Sequence, residues 1–110
     1  MFSNNIYILD LLSLNWSTLD VTGSPQSACR YSHTAAHAHG TKILLFGGIR
    51  MNGNAHGLAL LDIAAKTLKN LDAGDFNGST TCVRHSSNSV VTSNGELLLI
   101  KVGGGSQCLG

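Results

Sequence analysis

Apolar residues occur in short runs along the whole chain, and stretches rich in Gly, Asn, Asp and Ser separate these runs. Short apolar runs bounded by such residues are typical of β-strands. The pattern therefore predicts an all-β protein, with strands at Asn5–Asp10, Asn15–Leu19, Tyr31–Ala38, Lys42–Phe46, Leu58–Asp62, Thr67–Leu71, Ser86–Thr92 and Glu96–Val102.

The residues between these runs predict how the strands connect. A turn at His39-Gly40-Thr41 joins one pair of strands, and Asn94-Gly95, a strong hairpin signal, joins another. Ile63–Lys69 has the composition of a helix, but its place in an internal repeat favours a turn and a strand. We expect loops where Gly, Asn, Pro and Ser are concentrated, at Thr22–Cys29, Ile49–Gly57 and Ala73–Thr81.

The chain contains an internal repeat of roughly 50 residues. The segment Arg30–Gly48 recurs as Arg84–Gly105, with Arg30 and Arg84 separated by 54 positions. A second unit, Ile6–Asp10, recurs as Leu58–Asp62 at a separation of 52. A repeat of this length with about four strands in each copy is typical of β-propellers of the kelch type.

This interpretation divides the chain into one complete blade and two partial ones. Residues 30–72 hold the complete blade, whose four strands lie within 31–72. Residues 1–29 form the end of the preceding blade, and residues 84–105 form the beginning of the next. A propeller closes with about four to eight blades, each packed against its neighbours. We therefore expect both outer faces to be bare and the chain to be a propeller fragment, with the remainder of its own propeller as a partner.

Particular residues give the chain a resemblance to the kelch family. The first group is an Arg followed by Ser-His at the beginning of a hairpin, and the second is a pair of adjacent glycines after the second strand of that hairpin. The third is a Tyr, an Asp and a Trp at fixed spacing in the other strand pair. Leu68 stands where the family pattern has Trp, and the second glycine run comes two residues late. The late run indicates either a bulge in the last strand or an imperfect reading frame or splice site there. The residues that carry the resemblance are Tyr7, Asp10, Trp16, Arg30, Ser32, His33, Gly47 and Gly48, with Arg84, Gly103 and Gly104 in the second copy.

A narrower resemblance concerns Arg30–Ala35, Gly47–Ile49 and the Gly103–Gly105 run with the following Cys108. These segments resemble the kelch region of tRNA wybutosine-synthesising protein 4. The resemblance implies a parent enzyme that joins an S-adenosylmethionine-dependent carboxyl methyltransferase domain to a kelch propeller and acts on phenylalanine tRNA. It implies no catalytic site and no cofactor within this chain, since S-adenosylmethionine would bind only the methyltransferase domain.

Composition and charge narrow the possible partners. The chain is 43% hydrophobic and 12% charged, with a formal net charge of +1, so no basic stripe indicates nucleic acid. The sequence shows neither a signal peptide nor a long apolar stretch, and we expect an intracellular, cytoplasmic protein that does not contact a membrane. Cys29, Cys82 and Cys108 are an odd set without a Cys-x-x-Cys pair, which favours reduced thiols.

Two motifs suggest ligand chemistry but have simpler interpretations. His33, His37 and His39 would share one face of an unbroken strand and could bind zinc, yet no carboxylate or Cys accompanies them within the hairpin. Gly103–Ser106 could cradle a phosphate, but it matches neither the P-loop nor the dinucleotide pattern. We favour structural histidines and glycines at the end of a strand.

The charged and aromatic positions of the repeat also have two interpretations each. Arg30 and Arg84 could line one face and hold a phosphate or carboxylate, or they could make blade-to-blade hydrogen bonds to loop carbonyls or to Asp10 or Asp62, and the second interpretation is favoured. Trp16 is expected in the core between blades rather than as a stacking platform. The four aspartates that recur in register are expected to cap turns rather than to act as acid or base; they are Asp10, Asp20, Asp62 and Asp72.

Two functional hypotheses follow. The first is a non-catalytic kelch module that docks tRNA through its loops, with Arg50 and Lys66 as phosphate contacts. The second is a kelch adaptor for a protein partner, such as a ubiquitin-ligase receptor or a scaffold, which suits the near-neutral charge. The sequence contains no constellation of catalytic residues for either hypothesis to use.

Overall fold

A computed structural model describes residues 5–50, 53–54, 57–71 and 83–105. Within these ranges the chain is all-β, as the apolar pattern predicts, and it contains no α-helix. A short 3₁₀ helix at Pro25–Ala28 begins at the only proline of the sequence. The strands are β1 (Ile6–Leu9), β2 (Trp16–Leu19), β3 (Thr22–Gly23), β4 (Thr34–His37), β5 (Lys42–Phe46), β6 (Ile49–Arg50), β7 (Gly53–Asn54), β8 (Leu58–Asp62), β9 (Thr67–Leu71), β10 (Val83–Val91) and β11 (Leu97–Gly105).

The central sheet is an antiparallel meander of β4, β5, β8 and β9, with β3 added parallel to β9. The predicted bounds of β5, β8 and β9 are confirmed. Residues 63–66 form the turn between β8 and β9, so the helix that composition suggests there does not form. Among the described residues the sheets do not close into a ring.

Two of the predicted loops contain more regular structure than the sequence indicates. Within Thr22–Cys29, the Thr22 N–H donates to the Lys66 carbonyl at 3.0 Å and the Ser24 N–H donates to the Leu68 carbonyl at 2.7 Å. These bonds add β3 to the sheet. Within Ile49–Gly57, β6 and β7 pair as a small antiparallel hairpin. The third predicted loop, Ala73–Thr81, lies outside the described residues.

One face of the central sheet carries the core. Leu45 pairs with Ala59 across β5 and β8, and Leu61 pairs with Leu68 across β8 and β9, so all four side chains share this face. Ala59 and Leu68 are 0% exposed. The core side chains of β8 therefore come from every second residue, Ala59 and Leu61, and β9 adds Leu68.

Two outer hairpins cover opposite faces of the central sheet. The N-terminal hairpin (β1 and β2) packs Ile6 and Leu19 against the core face. The C-terminal hairpin (β10 and β11) contacts the other face, where the His85 ring meets the edge of the Phe46 ring at a centroid distance of 5.3 Å. Phe46 points away from the core face because it neighbours Leu45 on the same strand. The result is a stack of three layers.

The turns of the two longer hairpins follow from their glycines. In the β4–β5 hairpin, Ala38 and Lys42 close the loop with a 2.9 Å hydrogen bond, and Thr92 and Glu96 do the same in the C-terminal hairpin. Gly95, with φ of 82°, takes the left-handed position that such a three-residue loop requires. The hairpin predicted from Asn94-Gly95 is confirmed.

The backbone confirms the internal repeat but corrects its register. Among non-glycine residues, Leu14 and Lys66 both have φ above +50°, at 57° and 55°, and so do Ser32 and Arg84, at 58° and 56°. Both pairs are 52 residues apart. Arg84 therefore occupies the place of Ser32, and pairing Arg84 with Arg30 was wrong by two residues.

The C-terminal hairpin is longer than its counterpart, which explains the misalignment. Tyr31 pairs with Ile49 in the first hairpin, and Val83 pairs with Gly105 in the second. Each arm of the second hairpin holds two more residues between this pair and the turn. Two residues are one full period of a strand, so every side chain keeps its face. The late glycine run thus reflects longer arms, and the predicted bulge does not occur.

None of the described residues belongs to a helix that is long and apolar enough to span a bilayer.

Candidate functional site: the double-glycine corner and the inter-layer contacts

Arg30 lies at the corner where the β4–β5 hairpin begins and ends. Its side chain is 7% exposed, and its Nη1 donates a 2.9 Å hydrogen bond to the carbonyl oxygen of Gly47. Next to it, Tyr31 and Ile49 exchange two backbone hydrogen bonds of 3.0 and 2.7 Å. The guanidinium therefore ties the two ends of the hairpin together. The partner is a carbonyl, as one interpretation predicts, but it belongs to the same hairpin and not to a neighbouring blade.

The adjacent glycines are required by close backbone contact. A Cβ on Gly48 would lie 2.8 Å from both the His33 Cβ and the Tyr31 carbonyl oxygen. A Cβ on Gly104 would meet its counterparts, His85 and Val83, at the same 2.8 Å. Real Cβ atoms do not approach other atoms so closely, so both glycines have a structural reason to be present. Their geometry favours the strand-end interpretation over a phosphate cradle.

Polar side chains connect the C-terminal hairpin to the edge strand β4. The Thr34 hydroxyl and His85 Nε2 are 2.8 Å apart, and the Ser87 hydroxyl donates to Thr34 Oγ1. Further along, the Ser89 hydroxyl donates to the carbonyl oxygen of His37. We call Thr34, His85 and Ser87 the polar seam. It lies between layers, so no local sequence pattern indicates it, and sequence reasoning missed it.

The pKa values of His33 and His85 are lowered, which favours the neutral form of both rings. Burial lowers the pKa of His85, and the charge of Lys101 acts in the same direction, while the backbone of Phe46 opposes both. Partial burial also lowers the pKa of His33, as do the charges of Arg30 and His85. Because Ser87 donates to Thr34 Oγ1, the Thr34 hydroxyl can donate to His85 Nε2 in the neutral tautomer that carries its proton on Nδ1.

The histidines do not assemble a metal site among the described residues, where no three His, Cys, Asp or Glu side chains come together. The His37 ring N–H donates to the carbonyl oxygen of Gly40 at 2.8 Å and so supports the hairpin turn. His39 lies within that turn, and β4 begins only at Thr34, so the unbroken strand that would align three histidines does not exist.

Asp10 and Asp62 cap equivalent turns, as predicted. Asp10 Oδ1 accepts hydrogen bonds from the backbone N–H groups of Leu12 and Ser13 at 2.8 and 3.0 Å. Asp62 Oδ1 accepts from the Ala65 N–H and from the Thr41 hydroxyl, each at 3.1 Å. These bonds lower the pKa of both carboxyl groups. Neither group has the raised pKa of a general acid.

The remaining predicted residues have separate positions. Trp16 is 68% exposed on the outer face of the N-terminal hairpin, which is one of the faces expected to be bare, so its expected place between blades stays a prediction. Leu68, at the same repeat position, is 0% exposed because the N-terminal hairpin covers it. Lys66 is exposed, and its carbonyl holds β3. The side chain of Arg50 is outside the described set, so the phosphate-binding pair Arg50 and Lys66 stays a prediction.

One cleft lies at the base of the N-terminal hairpin. Its volume is about 180 Å³, below the roughly 300 Å³ at which small-molecule sites begin. The cleft is therefore too small to assign a ligand. Its lining residues are Asn5, Ile6, Thr18, Leu19, Asp20, Val21 and Pro25.

Comparison with known protein families finds no match for this chain, and comparison with curated proteins finds none either. The resemblance to the kelch family and to the wybutosine protein therefore stays a prediction. What the site provides on its own is a structural corner, two capped turns and a polar seam.

Proposed function

We propose that this chain is a non-catalytic binding module of the kelch type. The observation that carries the proposal is the repeated corner, in which Gly48 and Gly104 make matching contacts in successive layers. Three of the polar groups considered for chemistry, Arg30, Asp10 and Asp62, are engaged in structural bonds. Arg30 binds a carbonyl, and Asp10 and Asp62 cap turns. The loops, which the stacked sheets hold in place, would then bind the ligand.

The first candidate ligand is tRNA, with the module orienting it beside a methyltransferase domain. The support is the resemblance of Arg30–Ala35 and Gly47–Ile49 to the kelch region of the wybutosine protein. Lys66 sits at an exposed turn and would contact a phosphate together with Arg50. Such contacts make affinity fall with salt, because each neutralised phosphate releases counterions.

The experiment measures tRNA binding by fluorescence anisotropy over a series of salt concentrations. Replacing Arg50 and Lys66 together with Ala should flatten the slope of log affinity against log salt by about 1.8, as two lost phosphate contacts predict. The control variant is Lys69→Ala, which removes an exposed cation from a strand rather than a turn. An unchanged slope in the double variant would exclude these two residues from the interface.

The second candidate is an adaptor for a protein partner. The net charge of +1 favours it, since a module for tRNA usually shows a basic surface. The transcript that encodes the chain separates the two candidates. A methyltransferase segment in the same reading frame supports the tRNA module, whereas a BTB or F-box segment supports the adaptor. Absence of tRNA binding at low salt by the folded chain would also favour the adaptor.

A further inference from the structure

Each outer hairpin corresponds to one half of the central sheet. The N-terminal hairpin corresponds to β8 and β9, because Leu14 and Lys66 share a left-handed backbone at the same point of the turn. The C-terminal hairpin corresponds to β4 and β5, because Gly104 and Gly48 make the same close contacts. The described part of the chain thus contains one whole sheet and the two different halves of a second one, which we call the half-sheets.

In the central sheet the two halves are joined along β5 and β8. These strands pair antiparallel, with Leu44 opposite Leu60 and Phe46 opposite Leu58. The corresponding strands of the half-sheets are β11 and β1. Within the described ranges, β11 pairs only with β10, and β1 pairs only with β2. The two half-sheets lie on opposite faces of the central sheet, so β11 and β1 of the same chain do not meet.

We propose that β1 of a second copy of this chain binds the free edge of β11 and completes a four-stranded sheet shared by two copies. Counted from the glycine corner, Ile100 and Val102 take the places of Leu44 and Phe46. They would then lie opposite Ile8 and Ile6 of the second copy. Apolar β-branched residues suit such cross-strand pairs. This interface does not depend on the proposed function.

The backbone of β11 supports edge pairing. The loop hydrogen bond between Thr92 and Glu96 sets which residues of β11 bond inward to β10. Because inward and outward bonding alternates along an antiparallel strand, the N–H and carbonyl groups of Leu97, Leu99 and Lys101 point to the free edge. An unpaired edge of this kind is a template for another strand.

The same contact would cover side chains of the C-terminal hairpin that are exposed in a single copy. The residues at the equivalent positions of the central sheet are buried. Val102 is 63% and Ile100 44% exposed, whereas Phe46 is 8% and Leu44 9% exposed. In the shared sheet, Val102 and Ile100 would face the second copy's core face beside its exposed Ala35.

Trp16 gives the matching comparison on the other half-sheet. It is 68% exposed, whereas Leu68 at the equivalent position is 0% exposed. In the shared sheet, Trp16 of the second copy would face the part of the central sheet that the C-terminal hairpin leaves open, around Leu60. One edge contact thus covers both exposed faces. Because the two edges differ, the contact is head-to-tail, and it continues until a ring closes or a filament forms.

The first test measures the molar mass of the full chain by light scattering across a concentration series. We expect the mass to rise from 11.5 kDa to multiples of it. Trp16→Lys should move the midpoint of association to at least tenfold higher concentration. Leu12→Lys is the matched control, since Leu12 is 98% exposed on the turn beyond the paired strands, and it should leave the midpoint in place. Circular dichroism checks that each variant keeps its β-structure.

The second test fixes the strands involved. One copy carries Ile8→Cys and another carries Ile100→Cys, with Cys29, Cys82 and Cys108 replaced by Ser in both. We expect a disulfide-linked dimer on mixing, and much less of it when Leu12→Cys replaces Ile8→Cys. A monomer at all concentrations, equal shifts for the two Lys variants, or equal cross-linking of the two Cys pairs would overturn the proposal.

Discussion

The guanidinium of Arg30 reaches the carbonyl oxygen of Gly47 at 2.9 Å, and this bond holds the first residue of the corner to the last. A buried charged donor on a carbonyl is a stronger partner than a neutral one. The bond closes the β4–β5 hairpin at the end opposite its turn. Several stability predictions depend on this corner and on its equivalent in the C-terminal hairpin.

Replacing Arg30 with Ala should lower the free energy of unfolding by about 1–3 kcal/mol, because the Gly47 carbonyl loses its charged partner in a buried site. Urea denaturation measures the change. Arg84→Ala is the matched control, since Arg84 is exposed, and it should stay within about 0.5 kcal/mol of the parent. Equal losses of unfolding free energy in the two variants would show that the hydrogen bond from Arg30 to Gly47 does not stabilise the fold.

Replacing Gly48 with Ala should destabilise the chain much more than replacing Gly40 with Ala. Both glycines have positive φ, at 100° and 58°, but a Cβ on Gly48 would meet atoms at 2.8 Å and a Cβ on Gly40 would meet nothing within 4 Å. We expect Gly40→Ala to cost about 1 kcal/mol for the left-handed backbone alone. Gly48→Ala should cost at least twice that, and a smaller cost than Gly40→Ala would contradict the described contacts.

Replacing Ser32 or Arg84 with Gly should stabilise the chain. Each has a left-handed backbone, with φ of 58° and 56°, which costs a non-glycine residue about 1 kcal/mol. Part of that gain is offset by the greater freedom of Gly in the unfolded chain. Thermal unfolding should therefore show higher midpoints for Ser32→Gly and Arg84→Gly, and Ser86→Gly, in a regular strand, should show a lower one.

Stability should fall as the pH drops below about 6.5. The pKa values of His33 and His85 are lowered in the folded chain, so the unfolded chain binds protons more readily in this range. The stability from the neutral rings is present above the unfolded pKa and is lost as pH falls through the unfolded value towards the folded one. His85→Gln should flatten the curve of unfolding free energy against pH in this window. An unchanged curve would contradict the assigned pKa direction.

The aspartates act in a lower window. The pKa values of Asp10 and Asp62 lie below the ordinary 3.8, so the stability they give is present at neutral pH and disappears only as pH falls below about 4. Asp62→Asn should change the pH curve there and leave the region around pH 6 unaltered. The two windows thus separate the turn caps from the histidines.

The bounds of β5, β8 and β9 were predictable from the sequence, because β5 and β8 are short apolar runs, β9 occupies the repeat position of β2, and turn residues flank all three strands. The capping roles of Asp10 and Asp62 were predictable for the same local reason. The pairing of Arg30 with Arg84 was not reliable, since the longer arms of the C-terminal hairpin shift one end of the repeat relative to the other. Sequence similarity aligned two arginines, whereas the left-handed backbone aligns Arg84 with Ser32.

Contacts between layers were beyond sequence reasoning. The bond between Thr34 and His85 joins residues 51 apart in the chain. Its existence depends on how the C-terminal hairpin lies on β4, and strand patterns do not specify that placement. The exposure of Trp16 has the same origin, because a position that is covered in the central sheet is uncovered in the outermost layer.

Both the proposed module and the proposed interface require one arrangement. In it, the C-terminal hairpin packs on β4, and each of its residues lies where the internal repeat predicts. A double-mutant cycle with Thr34→Val and His85→Phe tests it directly. We expect a coupling energy of about 0.5–3 kcal/mol in urea denaturation, as for residues in contact. The control cycle pairs His85→Phe with Thr18→Val on the opposite layer, and should be additive within about 0.5 kcal/mol. A Thr34–His85 coupling no larger than that of the control would contradict the stacked arrangement.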